Sequence, residues 1–227
     1  WVSAKVFEGS PYETPLYGDL NKIRSLSNER IRENYSHFSN LAGILLIIAG
    51  KFDNSELRAS INKFFQDLPP GRRPVGPAFN AYPPRKSQVL KNWVVPGLKE
   101  HFVVYGLKAP AKIGYNFMYF DFLRYYLTDP RISRLEHILN TVNKLDVRIE
   151  SDFTDNMESN CLIIQISTPR RINLEKAKYV IEKEFQALGN TLLGHNDLRT
   201  VRSLMEIDFL KSMVSLEDRC LSIGEFY

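Results

Sequence analysis

Six of the chain's twelve prolines fall between Pro69 and Ser87. Proline lacks the amide donor and restrains the residue before it, so this stretch forms neither a helix nor an inner strand. It reads as a semi-rigid extended linker and places a domain boundary at 69–87. The chain has 227 residues, against roughly 150 for one domain, so residues 1–68 and 88–227 are not two domains of usual size. Residue 1 is Trp rather than Met, and the last helical pattern runs into Tyr227. The expectation is a piece of a longer polypeptide, truncated at both ends.

Before the linker, Ser25 or Ser27 caps a helix with Ile31, Tyr35 and Phe38 on one face. Leu41 to Ala49 is a continuous Ile- and Leu-rich run closed by Gly50-Lys51-Phe52-Asp53-Asn54. That pattern predicts a strand buried on both faces. Asn54 or Ser55 then caps a helix with the stripe Leu57, Ile61, Phe64, Phe65 and Leu68. Without flanking strands, the face around Ile44–Ile48 is expected to drive self-association.

After the linker, Gln88–Val95 and Glu100–Leu107 are strand-like. Tyr115–Leu127 is an aromatic-rich helix, and Pro130 opens a second one through Ile138. Leu145–Phe153 alternates apolar and polar residues as a half-buried strand does. Cys161–Ser167 is a further strand, Asn173 caps a helix through Leu188 that Gly189 ends in a left-handed cap, and a last helix starts near Asn196. The fold class is α+β.

Composition limits the functional classes. Thirty Lys and Arg against 26 Asp and Glu leave a net charge of +4, but the signs alternate, as in Glu29-Arg30-Ile31-Arg32-Glu33. The only basic excess is Arg72, Arg73, Arg85 and Lys86. Nucleic-acid binding through that loop would rest on charge alone. The longest apolar run, Leu41 to Gly50, is too short to span a bilayer. Cys161 and Cys220 cannot make a disulfide framework or a cysteine zinc site, and read as two buried, reduced thiols.

The residues by themselves display no active site. None of His37, His101, His137 and His195 has a second histidine within five residues, so no zinc-binding helix of the H-E-x-x-H type exists. Glu136-His137 reads as a surface or capping pair, His37 as packing beside Phe38, and His195 as a turn residue. Asp53/Glu56 and Glu182/Glu184 read as solvated carboxylates on polar helix faces. Neither a nucleophile elbow nor a Gly-rich phosphate loop is present.

The order of motifs carries more than any single residue. Ser10-Pro11-Tyr12, Gly18-Asp19 and Ile23-Arg24-Ser25-Leu26-Ser27 lead into a helix with Tyr35. Ala49-Gly50-Lys51-Phe52-Asp53, a helix ending Phe64-Phe65, and Leu68-Pro69 follow. Downstream come Ser133-Arg134-Leu135 with Leu139, the helix 174–188, and Asn196-Asp197-Leu198-Arg199. This series resembles the insulinase or pitrilysin family of zinc peptidases, which includes the mitochondrial processing peptidase. The resemblance implies metallohydrolase-like α/β roll domains, each an antiparallel-rich sheet with helices on one face, closing a chamber around an unfolded peptide. Residues 1–68 would be the tail of one such domain, and 88–227 most of a second, non-catalytic one.

The family's zinc helix, H-x-x-E-H, and its glutamate ligand precede the Pro-Tyr motif, so the resemblance implies no cofactor in this chain and zinc in the parent protein. No catalytic or metal-ligating residue is assigned, and the substrate-binding residues are left open. In the non-catalytic halves of active members, an Arg after S-R-L-x-x-x-L and a Tyr seven residues later hold the substrate backbone. Asn140 and Val147 stand at those positions, and neither offers a guanidinium fork or a phenol. Two expectations follow: a non-catalytic peptidase region forming chamber wall and peptide-binding surface, or an inactive scaffold subunit of the same family. The implied partners are a peptide or unfolded protein and a zinc-bearing domain of the same chain or a sister subunit.

Overall fold

The computed structural model describes residues 1–14, 17–38, 42, 44–68, 71, 97–112, 114–154, 156 and 158–226. The linker 69–87 apart from Gly71, its basic residues, the strand expected at Gln88–Val95 and the packing expected for His37 lie outside the described residues. Two compact units are present, one of residues 1–16 and 81–207, the other of 17–80 and 208–227. This grouping by packing cuts across the division by sequence, because the first helix packs on the sheet of the later part.

The first unit is built on a three-stranded antiparallel sheet of order β1-β3-β2, with β1 at His101–Ala109, β2 at Arg148–Phe153 and β3 at Asn160–Thr168. Central β3 turns Leu162, Ile164 and Ile166, all fully buried, toward the core. Edge strand β2 alternates, with Ile149, Ser151 and Phe153 half-buried and Arg148, Glu150 and Asp152 exposed. That alternation is the period-two signal of a sheet with one covered face. An antiparallel sheet among helices confirms the α+β class.

Helices complete this unit. α1 (Val2–Val6) lies on β1 at Gly106, where an added Cβ would stand 2.4 Å from Val2 Cγ1 and 3.3 Å from Cys161 Sγ. A 3-10 turn at Pro11–Glu13 follows, and Phe7 is buried with its ring 5.6 Å from that of Tyr12. α5 (Tyr115–Thr128) buries its last turn, Tyr125 to Thr128, and leaves Tyr115 and Tyr119 exposed. Pro130 does not open the next helix. Asp129 is extended, as residues before proline prefer, and Ser133 is the N-cap of α6 (Arg134–Glu136), accepting from Glu136 N at 2.9 Å. α6 runs into a π-helical turn, His137–Val142.

α7 (Arg171–Leu188) is capped by Arg170, while Asn173 sends its amide to Leu145 O at 2.5 Å. Gly189 ends α7 at φ −68°, right-handed rather than left-handed, so that cap needs no glycine. Ala177 and Ile181 of α7 join Leu127, Leu135, Leu139, Leu145, Val147 and Val201 in the core, and Leu174 is buried on the same helix.

The second unit contains α2 (Leu20–Arg24), α3 (Asn28–Phe38), α4 (Asn54–Phe65) and α9 (Leu216–Phe226). α8 (His195–Ser212) precedes α9, and its first part belongs to the sheet unit. None of the second unit's described residues is fully buried. The buried strand expected at 41–49 is not there: residues 44–49 carry no ladder, and Ile44, Leu45, Leu46 and Ile48 are exposed. A strand needs a partner backbone, and among the described residues none supplies one. α3 likewise exposes Ile31 and Tyr35. In α4 only Leu57, Ile61 and Phe65 of the expected stripe are half-buried, and Asp53 rather than Asn54 or Ser55 is the cap. Gly224 of α9 would place a Cβ 3.5 Å from Ile47 Cδ1, which is ordinary contact.

Candidate functional site

The π-helical turn after α6 sets the geometry of the sheet unit's open cleft. Asn143 N bonds Ile138 O at 3.1 Å, a five-residue step, and Leu145 N bonds Leu139 O at 3.0 Å. Such turns are rare and frequent at functional sites. The chain then passes through two left-handed residues that are not glycine, Lys144 at φ 54° and Asp146 at φ 50°. Both are uncommon conformations, held here because Leu145 between them is buried and its carbonyl is bound by Asn173.

Asn140 locks the end of this loop. Its Oδ1 accepts from Val147 N at 2.8 Å, and its Nδ2 donates to Val147 O and to Glu136 Oε1, each at 2.7 Å. Both donors and one acceptor of the amide are used. The two positions singled out in the sequence are therefore brought together and bonded to each other. Val147's side chain is buried in the core. A phenol at this position could not enter the cleft without moving the start of β2.

The cleft holds about 530 Å³ and is lined by Glu100, Thr128, Ser133, Glu136, Asn140, Asp146, Arg148 and Ser167, among others. Its walls are tied down. Thr128 Oγ1 bonds Arg124 O at 2.7 Å and Ser151 Oγ at 2.5 Å, and Ser133 Oγ donates to Leu127 O at 2.8 Å. Asp129 holds Arg131 by two bonds, at 2.8 and 2.7 Å. Sequence reasoning missed Asp146 and Ser167. The first was read as an outward strand residue, and nothing local signals its left-handed turn. The alternation of β3 places Ser167 opposite the core residue Ile166, which was the available signal.

The other singled-out residues lie elsewhere. His137 is exposed at the head of the π-helical turn, His101 is exposed at the start of β1, and His195 begins α8. Glu184 is not a solvated carboxylate: it is largely covered and accepts from Arg134 Nε at 2.8 Å, which holds the guanidinium pKa above its ordinary value. Cys161 is fully buried, and desolvation pushes its thiol up to about 11. Cys220 is only partly covered. No group of three or more His, Cys, Asp and Glu among the described residues could hold a metal ion, so these side chains do not fit a zinc site.

The sequence matches the family model described as the Peptidase M16 inactive domain over residues 25–205. The chain belongs to the M16 peptidase family. That match spans most of the chain and names the inactive domain of the family, in agreement with the insulinase-type resemblance. A crystal structure of a protease from Helicobacter pylori shares the M16 chain's fold at TM-score 0.72 and 16% identity. The match covers 92% of this chain and 51% of that protein, so the chain spans about half of its length. No curated protein sequence matches the chain. Among the described residues no helix is long and apolar enough to cross a membrane.

Proposed function

We propose that this M16 chain is a non-catalytic region of an insulinase-type zinc metalloendopeptidase, contributing chamber wall and a peptide-binding surface. The observation that carries the reading is the polar cleft beside Asn140 and Val147. It lies against the end of an edge strand, and its walls are preorganised by hydrogen bonds. An edge strand and an adjoining polar cleft suit an extended peptide, whose backbone seeks a ladder and whose side chains alternate. Residues 1–68 and 88–227 are read as parts of two consecutive family domains joined at 69–87, with zinc held by a domain of the same parent chain or a sister subunit. Photo-crosslinking from the cleft rim to an unfolded peptide tests the surface. Labels that appear only on the second unit or nowhere end this reading.

The alternative is an inactive scaffold subunit of the same family. It is favoured by the turning of Asn140 onto the Val147 backbone, which leaves no guanidinium or phenol for a substrate there. Peptidase assays on the full-length parent with zinc separate the two: cleavage removes the scaffold. We also infer self-association through the exposed residues Ile44, Leu45, Leu46 and Ile48. A monodisperse monomer in light scattering at high concentration would end that inference.

A further inference from the structure

The sheet of the first unit has two faces, and the core occupies one of them. Leu162, Ile164 and Ile166 of β3 lie in that core with Val103, Tyr105 and Leu107 of β1 against it, and no residue of 1–14 takes part. Gly106 and Cys161 stand on the other face, by the alternation of their strands. Among the described residues, α1 is the helix laid on this second face. Val2 Cγ1 and Val6 Cγ2, one helical turn apart, converge with Cys161 Sγ over Gly106, at 2.4, 3.1 and 3.3 Å from where its Cβ would stand. The missing Cβ is thus a notch that takes two aliphatic side chains four residues apart on a helix. Cys161 is fully buried although it lies outside the core, and α1 is the described element over it.

The covering segment brings little structure of its own. α1 is a single turn, Val2–Val6, with no side-chain cap, and a helix this short does not persist without its seat. Beyond it, Phe7 is buried beside the Tyr12 ring, and the Tyr12 hydroxyl donates to the Glu158 carboxylate between β2 and β3. Residues 17–80, in the other unit, separate this segment from the rest of the sheet unit. A segment outside the core, held on one face of a sheet, opens at a lower free energy than the core itself. We propose that residues 1–14 are a detachable strap, and that the notch at Gly106 is a docking groove for a short helical segment, filled in cis by this strap. The occupant the groove fits has aliphatic residues at i and i+4 followed by an aromatic one, as in Val2, Val6 and Phe7. The inference does not depend on the peptide-chamber reading.

The test is slow thiol labelling of Cys161 in the whole chain, read by peptide mapping, beside amide exchange at the core residue Ile164. Labelling of Cys161 is expected to change little with urea below the unfolding transition, whereas exchange at Ile164 rises steeply. Opening a strap exposes little surface, and unfolding the core exposes much. Val2→Ala/Val6→Ala should speed Cys161 labelling by about tenfold and leave exchange at Ile164 as it was. A synthetic peptide of residues 1–14, added to this variant, should slow the labelling again as its concentration rises. The same peptide with both valines replaced by alanine should not. Labelling that follows urea as steeply as exchange at Ile164 overturns the detachable strap. So does a double variant that leaves labelling unchanged, or one that speeds labelling and Ile164 exchange equally. Failure of the native-sequence peptide to protect Cys161 overturns the docking groove.

Discussion

Asn140 and Val147 are closed into a ring by two hydrogen bonds, the amide oxygen accepting from Val147 N and the amide nitrogen donating to Val147 O. The pair joins the π-helical turn to the start of β2 and holds the left-handed residues 144 and 146 between them. Asn140→Ala leaves both main-chain groups of a buried residue unsatisfied, so a loss of about 1–3 kcal/mol is expected. Urea unfolding of the two proteins measures it. An unchanged midpoint would show that the loop is held by Asn143 and Asn173 instead.

Gly106 is the seat of α1. Gly106→Ala puts a methyl 2.4 Å from Val2 Cγ1, and overpacking of this kind costs about 1–3 kcal/mol. Limited proteolysis should cut the first residues faster in this variant, and Val2→Ala added to it should restore much of the protection. Equal cleavage rates in all three proteins would mean that α1 does not depend on this contact.

The two cysteines should react at different rates. Cys161 is fully buried with its thiol pushed up to about 11, whereas Cys220 is partly covered. Thiolate is the reactive form. A thiol reagent at pH 8 is expected to label one cysteine in the native protein and both after denaturation, with peptide mapping placing the first label on Cys220. Early labelling of Cys161 would contradict its burial.

Tyr105 buries a hydroxyl that has no hydrogen-bond partner among the described residues, its ring set edge-on to Phe185 at 5.6 Å. Burial first, and Glu182 second, push its pKa up from 10.0 to about 12. The folded pKa lies above the unfolded one, so this phenol costs no extra stability below pH 10. Stability is lost as pH climbs from 10 toward 12. Tyr105→Phe removes a buried polar atom that has no bond to lose, so it should be neutral or stabilising near neutral pH and should lose less on alkaline titration. A clear loss of stability at pH 7 would point to a bound water on that hydroxyl.

Asp53 caps α4, and its carboxyl is held below the usual range first by the Ser55 hydroxyl and then by the backbone amides of Glu56 and Ser55. A lowered folded pKa means that the cap's contribution is fully present above the ordinary value of 3.8 and is lost as pH falls through the folded value. Amide exchange at Ser55 and Glu56 should speed up as the carboxyl protonates, beyond the ordinary pH dependence of exchange. Asp53→Asn, which keeps an acceptor without a titrating proton, should remove that extra acceleration.

Legibility from the sequence followed the physics of each element. β2 and β3 were readable because alternation and an apolar run report burial directly, and Leu145 and Val147 keep that alternation even where the backbone is a loop. α5 and α7 were readable from their apolar periodicity. The run at 44–49 misled because it encodes a preference for a ladder, and a ladder needs a second strand that no single segment specifies. Pro130 misled because proline suits both a first helical turn and a plain turn, and only the Ser133 cap decides between them. The Asn140–Val147 ring joins a turn to a strand seven residues away, and the cleft needs Glu100 and Ser167 brought in by a sheet. Neither could appear in a motif.

The middle strand of the sheet is the last of the three to be made. About 50 residues separate the end of β1 at Ala109 from the start of β3 at Asn160, which at roughly 5–20 residues per second is several seconds of synthesis. During that time β1 and β2 have nothing to bridge them, and the main-chain groups of β1 leave the ribosome without the strand that will pair with them. The nascent chain therefore passes through an interval in which any other extended segment competes with β3 for the same unpaired edge.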